Sequence, residues 1–187
     1  MTDTKGKVYV NIEDKSKLCM INSKTLKVEQ YWPVAPVDEP SGLAIDTAIN
    51  RHFKGILFTV SDKHMAVINA QTGEVIFSVP IGDRVDGVAF DRVLRRAYSA
   101  NGDGTMTVVK VPGYNGENIY MPHGEVLETV KTQKGARTIA VDSKTHHIYL
   151  PTAEDNEREY HERGIKSKGP SIKAGTFVVL DIAPVKQ

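Results

Sequence analysis

Cysteine is nearly absent from this 187-residue chain, whose only cysteine is Cys19. A single cysteine excludes an internal disulfide and any CxxC metal or redox site. Cys19 lies between Leu18 and Met20 in an apolar run, where an unpaired cysteine behaves as a small hydrophobic side chain. We therefore predict that Cys19 is buried and structural.

The chain also lacks an excess of either charge. Its 24 Lys and Arg residues nearly balance its 23 Asp and Glu residues, which leaves a net charge of +1. Such a balance gives no electrostatic attraction for nucleic acid or an anionic membrane. No apolar run approaches the ~20 residues of a transmembrane helix, and residues 1–6 lack the apolar core of a signal peptide. We predict no nucleic-acid partner and no membrane span.

Motifs for catalysis and cofactor binding are missing as well. The sequence has no GxSxG, Walker or dinucleotide-binding motif. Its six histidines lack metal-ligand spacing and are interpreted as turn and surface residues, with His146 and His147 on opposite faces of a strand. The acidic residues from Glu154 to Glu159 lack the order of a calcium loop and are interpreted as a solvated loop. We predict no catalytic residue, no metal and no cofactor.

What the chain does contain is a repeat. A seven-residue pattern occurs at 40–46 (PSGLAID), 85–91 (VDGVAFD) and 136–142 (ARTIAVD). Its closing aspartates stand at 46, 91 and 142, so the spacings are about 45 and about 51 residues. Repeats of this length are typical of propellers or solenoids. The small residues inside the pattern suit an innermost strand, where blades crowd toward an axis.

Short runs with a period of two residues surround each copy of the pattern, and such runs indicate β-strands. They predict about fourteen strands, at 6–11, 17–22, 26–32, 40–46, 55–60, 64–69, 74–79, 85–91, 96–100, 105–111, 124–130, 136–142, 147–150 and 175–181. The clearest hairpin turn is Asn101-Gly102-Asp103-Gly104. No helix longer than about two turns is expected.

Groups of four antiparallel strands repeated at this spacing predict an all-β fold, a β-propeller. The chain would form a single partial propeller domain over residues 1–187, with about three and a half blades at approximately 6–35, 39–82, 83–133 and 134–187. The first group lacks its innermost strand and the last lacks its outermost strand. Because propellers usually have at least four blades, we expect the C-terminal part of a larger propeller; the alternative is a self-complementing oligomer. Exposed edges predict self-association.

Several motifs resemble the bacterial YVTN-repeat β-propeller family. They include GKVYVN, PSGLAID, NGDGT, GARTIAVD, HIYLPTAE and the closing GTFVVL, and together they cover nearly the whole chain. The resemblance implies that the chain is part of a longer protein whose propeller typically has seven blades. It also implies a periplasmic or exported location if that full-length protein carries a signal peptide. The family has no shared catalytic motif, so the resemblance bears on fold more than on function.

The strongest functional hypothesis comes from one position of the repeat. The residue before the small innermost position is Ser41, Asp86 and Arg137 in the three copies. A position that varies between a hydroxyl, a carboxylate and a guanidinium at a channel mouth suits ligand binding. The alternative is that these side chains simply solvate the end of the channel.

The prediction is therefore a non-catalytic binding or scaffold module, with a small molecule or protein at the channel mouth. A second hypothesis is part of a propeller enzyme, such as a lactonase or a quinoprotein-like dehydrogenase, whose site needs further blades.

Overall fold

The computed structural model describes residues 1–47, 55–112, 123–154 and 172–184. Fourteen strands lie within these ranges, together with one 3-10 turn at Glu13–Lys15. The strands are β1 (Lys7–Ile12), β2 (Lys17–Asn22), β3 (Val28–Pro33), β4 (Gly42–Asp46), β5 (Ile56–Ser61), β6 (His64–Asn69), β7 (Val75–Pro80), β8 (Val85–Asp91), β9 (Arg96–Asn101), β10 (Thr105–Lys110), β11 (Glu125–Lys131), β12 (Ala140–Val141), β13 (Ile148–Thr152) and β14 (Val178–Ile182).

The strands form four antiparallel sheets in chain order. We call them blade 1 (β1–β3), blade 2 (β4–β7), blade 3 (β8–β11) and blade 4 (β12–β14). Blades 2 and 3 have four strands, and blades 1 and 4 have three. The prediction of an all-β chain of short strands with no long helix is confirmed for the described ranges. The acidic loop residues 155–159 and the stretch 48–54, where the repeats align poorly, lie outside them.

The core consists of three apolar layers, each between two successive blades. Phe58 of β5 packs toward blade 3, whereas its neighbour Leu57 packs toward blade 1. Likewise, Ala97 of β9 faces blade 2 and Tyr98 faces blade 4. Because successive side chains of a strand point to opposite faces, a blade between two others needs apolar residues on both. Consequently every residue of β5 is buried.

Glycine is required where the innermost strands of adjacent blades meet. A Cβ atom on Gly42 would lie 2.7 Å from Val60 Cγ2 and 3.0 Å from the Asp86 carbonyl oxygen. A Cβ atom on Gly87 would lie 2.9 Å from the Arg137 carbonyl oxygen. Real Cβ atoms essentially never approach other atoms this closely, so the small residues of the repeat are explained by crowding between blades.

The predicted inner strand at 136–142 is much shorter than expected. Only Ala140 and Val141 form β12, paired with Tyr149 and Ile148 of β13. Continuing this register would place residue 138 opposite Pro151, and proline has no N–H to donate to a ladder. The ladder therefore stops at Ala140.

Blade 1 has more of its innermost strand than the sequence predicted. Thr2 forms an antiparallel bridge with Val8, and the backbone N–H of Tyr9 donates to the Met1 carbonyl oxygen at 2.8 Å. Residues 1–3 thus lie along the inner edge of β1. Their position in blade 1 is equivalent to that of β8, which pairs with β9 at the inner edge of blade 3. Cys19 is buried as predicted, and this burial raises the pKa of its thiol.

Candidate functional site

The closing aspartate of each repeat connects one blade to the next. The Asp46 carboxylate of blade 2 is fully buried and receives the guanidinium groups of Arg92 and Arg95 from blade 3, at 3.0 and 2.6 Å. The equivalent Asp91 of blade 3 is also fully buried and lies 2.6 Å from His146 Nδ1 of blade 4. These buried carboxylates are therefore ion-paired or hydrogen-bonded across the blade interfaces, as buried charges require.

Asp91 also orders the turn that follows it. Asp91 Oδ1 accepts hydrogen bonds from the backbone N–H groups of Val93 and Leu94 at 2.8 and 3.0 Å. Asp3 Oδ1 accepts one from Lys5 at 2.7 Å, two residues ahead as for Val93. Asp3 therefore has the position of a closing aspartate in blade 1, which the sequence analysis missed because residues 1–3 do not show the seven-residue pattern.

His146 has a structural role that the sequence analysis also missed. It does not lie in a strand, because β13 begins at Ile148, and its φ of +64° places it in a turn. Arg95 occupies the same position, four residues after its own closing aspartate, with a φ of +55°. A basic residue at this offset in two repeats was a signal available in the sequence. His147 contacts a different partner, Asp181 Oδ1, at 2.7 Å.

Polar side chains from all four blades converge on one cavity of about 550 Å³. We call it the channel-mouth cavity, because it lies where the innermost strands begin. Ser41 precedes β4, Asp86 is the second residue of β8, and Arg137 precedes β12; all three line the cavity. The structure thus brings together the three residues selected from the sequence.

Two of these three residues contact each other. Arg137 Nε lies 2.9 Å from Asp86 Oδ2, which links blades 3 and 4. The Ser41 hydroxyl donates to the Val85 carbonyl oxygen at 2.6 Å, which links blades 2 and 3. Contacts between blades therefore account for part of the variation at this repeat position.

Further charged cavity residues were not anticipated. Glu13, Asp38 and Glu39 contribute three carboxylates from the turn after β1 and the segment between β3 and β4. Asp62 and Arg84 line the cavity as well. No periodic sequence pattern marks these acidic residues. They lie in two loops, and only the folded loops bring their side chains to the cavity.

No group of three or more His, Cys, Asp or Glu residues with metal-binding geometry occurs in the part of the chain that the structure describes. Over the same ranges, no helix is long and apolar enough to cross a membrane.

Solved structures with the same fold are numerous. One is hydrazine synthase from Kuenenia stuttgartiensis, at 15% identity and a TM-score of 0.63 over 82% of this chain and 40% of that one. The WD40 repeats of RRP9 match at 16% identity and a TM-score of 0.62, covering 80% of this chain and 42% of that one. U3-55K matches at 16% identity and a TM-score of 0.62, covering 80% and 43%. The fold is a β-propeller, since WD40 repeats form propeller blades.

At these identities the similarity establishes the fold alone. The chain spans about two fifths of the length of the structures it matches. No family model matches the sequence, and no curated protein sequence matches it.

Proposed function

We propose that this chain is a non-catalytic binding module of the β-propeller type, which holds a small molecule or a segment of a protein in the channel-mouth cavity. The observation that carries the proposal is that side chains from all four blades line one concavity. A volume of about 550 Å³ falls within the ~300–1,000 Å³ that is typical of ligand pockets. Ser41, Asp86 and Arg137 are the proposed ligand-binding residues.

A ligand screen by NMR tests this proposal. Compounds that bind should shift the backbone resonances of cavity residues in a saturable manner. The variants S41A, D86N and R137Q should each weaken such binding. K110Q is a suitable control, because Lys110 is exposed and pairs only loosely with Glu125, at 3.9 Å, on the outer strands of blade 3. Binding that is unaffected by all three cavity variants would contradict the proposed site.

We propose further that the propeller is of the YVTN-repeat kind and forms one part of a larger ring. The matching motifs at 6–11, 40–46, 101–105 and 135–142 support the first statement. Two observations support the second. Among the described residues, blades 1 and 4 each have one face with no neighbouring blade, and the chain spans about two fifths of the length of the structures it matches. Close homologues that lack the repeated motifs would contradict the first statement.

A further inference from the structure

The open face of blade 4 carries a carboxylate at a repeat position that is paired in the two preceding blades. Val141 packs toward blade 3, so the next residue, Asp142, points to the opposite, open face. Asp46 and Asp91 have the same position in blades 2 and 3, and each is fully buried against a basic side chain of the following blade. Asp142 is only partly buried, and no Lys, Arg or His side chain forms an ion pair with it in the part of the chain that the structure describes. The cation that a following blade would supply is missing.

An aromatic position on the second strand of each blade shows the same progression. Phe58, Tyr98 and Tyr149 lie opposite the alanine of the seven-residue pattern in blades 2, 3 and 4. Phe58 is fully buried and stacks on Phe90 of blade 3, with ring centroids 4.6 Å apart, and Tyr98 is buried toward blade 4. Tyr149 is only partly buried and points to the open side, since both of its neighbours in β13 pack toward blade 3. The open face of blade 4 is therefore built like the covered faces of blades 2 and 3.

The chain itself contains an apolar face of the complementary kind, on blade 1. Tyr9 and Asn11 of β1 donate hydrogen bonds to blade 2, so the residues that alternate with them point to the open side. Blades 3 and 4 likewise present apolar side chains to the blade that precedes them. The apolar row on the open side of blade 1 crosses all three strands and consists of Val8, Val10, Ile12, Cys19, Ile21 and Tyr31.

The turn that leads into β1 adds a cation to this face. In blades 3 and 4 the equivalent turn, between the first two strands, holds the basic residues that reach the aspartate of the preceding blade, namely Arg92, Arg95 and His146. In blade 1 this turn comprises residues 4–6. It contains Lys5, which is exposed and makes no ion pair within the described ranges. Blade 1 can therefore offer both an apolar row and a cation to a preceding blade.

We infer that the open face of blade 4 binds blade 1 of a second copy of this chain, in the way that each blade within the chain packs on the one before it. Lys5 of the second copy pairs with Asp142, and Tyr149 packs against the apolar row of blade 1. The contact joins different faces of the two copies and is therefore heterologous. The inference rests on the proposed larger ring and specifies which blades extend it.

Charge reversal on each face provides the test, with association of the full chain measured by sedimentation velocity. K5E and D142K should each weaken association about tenfold or more, because like charges then meet across the contact. An equimolar mixture of K5E and D142K should associate as the wild type does. In the mixture, the two reversed charges are opposite at one contact, and the other contact has the wild-type pair. The double variant K5E/D142K should associate normally for the same reason.

The mixture also separates a lost contact from an unfolded chain. Asp142 Oδ1 accepts a hydrogen bond from the Lys144 N–H at 2.8 Å, so D142K also alters a turn, but a copy that unfolds for this reason is not rescued by mixing. K24E and E125K make the same charge changes at exposed positions, in the turn between β2 and β3 and on β11. Both variants should associate like the wild type.

Y149K tests the apolar part of the contact. A lysine at this position would place a charge against the apolar row of blade 1, which is unfavourable without a partner. Association should therefore weaken about tenfold or more, and mixing Y149K with K5E should not restore it fully, because one of the two contacts in the mixture always contains the altered position.

The possible failures are distinguishable. A mixture of K5E and D142K that associates no better than either variant alone would overturn the inference, as would association that all three variants leave unchanged. A wild-type chain that is monomeric at all concentrations also overturns it, but leaves the larger ring proposal in place, because further blades can belong to the same polypeptide. If the ring protons of Tyr31 and Tyr149 in that monomer are also shielded from a soluble paramagnetic probe, the chain covers both faces itself and the larger ring is wrong as well.

Discussion

Arg137 of blade 4 and Asp86 of blade 3 form an ion pair, with Nε 2.9 Å from Oδ2, at the rim of the channel-mouth cavity. Both side chains are substantially exposed, so solvent and salt screen their attraction. Asp86 and Arg137, which occupy the variable position of the repeat, therefore form a contact between blades and also line the cavity. The contact between blades affects stability, whereas a role in the cavity affects binding.

The first prediction is that the Asp86–Arg137 pair contributes little to stability. D86N, R137Q and the double variant should form a mutant cycle with a coupling of less than about 1 kcal/mol in urea unfolding, and 0.5 M salt should reduce it further. Any loss of ligand binding in these variants would then reflect the cavity rather than unfolding. A coupling above about 2 kcal/mol would show that the pair is primarily structural.

The second prediction is that the buried Asp46 contributes more to stability than the exposed Asp86. Its carboxylate is fully buried and accepts from Arg92 and Arg95 at 3.0 and 2.6 Å. Removing one partner of a buried pair costs about 3–5 kcal/mol, and here the partial exposure of the arginines lowers that cost. D46A should therefore destabilise the chain by about 2–4 kcal/mol, whereas D86A costs less than about 1 kcal/mol. Equal losses in chemical unfolding would contradict this difference.

The third prediction is that stability falls steeply above pH 10. Burial, with a smaller effect from Asp3, raises the pKa of Tyr9 to about 12, and burial, with a smaller effect from Asp91, raises the pKa of Tyr98 to about 12. Between pH 10 and 12 the unfolded chain releases these protons and the folded chain retains them. Their contribution to stability is therefore complete below about pH 10 and is lost as pH rises toward 12, on the order of 2 kcal/mol for each tyrosine.

Urea unfolding at pH 8, 9.5 and 11 measures this effect. Y9F should reduce the loss between pH 9.5 and pH 11, although it also lowers stability at pH 8 because the Tyr9 hydroxyl donates to the Ala70 carbonyl oxygen at 3.0 Å. Y31F is the control, since Tyr31 is exposed on the open face of blade 1. A pH dependence that is identical in both variants would show that Tyr9 does not carry it.

The fourth prediction tests the crowding between inner strands. G87A places a Cβ atom 2.9 Å from the Arg137 carbonyl oxygen and 3.0 Å from the Thr138 Cα atom, and both of these are backbone atoms that move little. Overpacking of this kind costs about 1–3 kcal/mol. For comparison, Gly175 has a φ of +77° and no atom within 4 Å of an added Cβ, so G175A should cost only the penalty of the left-handed conformation, about 1 kcal/mol. Thermal unfolding that ranks G175A as the more damaging variant would contradict the crowding.

The strands were largely predictable because each is a short β-prone run, either alternating between apolar and polar side chains or, like β5, mostly apolar. The bounds predicted at 17–22, 64–69 and 85–91 are those of β2, β6 and β8. The prediction of a full strand at 136–142 was wrong because the obstacle, Pro151, lies on the partner strand and matters only once the register is known. Cavity residues such as Glu39 were not predictable, because they reach the channel mouth through loops with no periodic pattern.

The last prediction is that the isolated chain self-associates through the open faces of blades 1 and 4. In blade 1, Val10, Cys19 and Tyr31 lie in one row across the sheet, on the face opposite to Leu18 and Trp32, which pack against blade 2. Val10 and Tyr31 are exposed. An apolar sheet face of this kind, beside unpaired strand edges, favours association between copies.

In blade 4, Val179 lies opposite Pro151 on the face away from Leu150 and Leu180, which pack toward blade 3. Val179 and nearby Phe177 are exposed.

Sedimentation velocity over a range of concentrations should therefore show a rising average mass, and added salt should not reverse it, because the contact is apolar. Y31K and V179K should each shift the chain toward monomer. V93K is the matched control, since Val93 is also exposed but lies in a turn of blade 3, and it should have no effect. A wild-type chain that remains monomeric at all concentrations would show that these two faces do not associate.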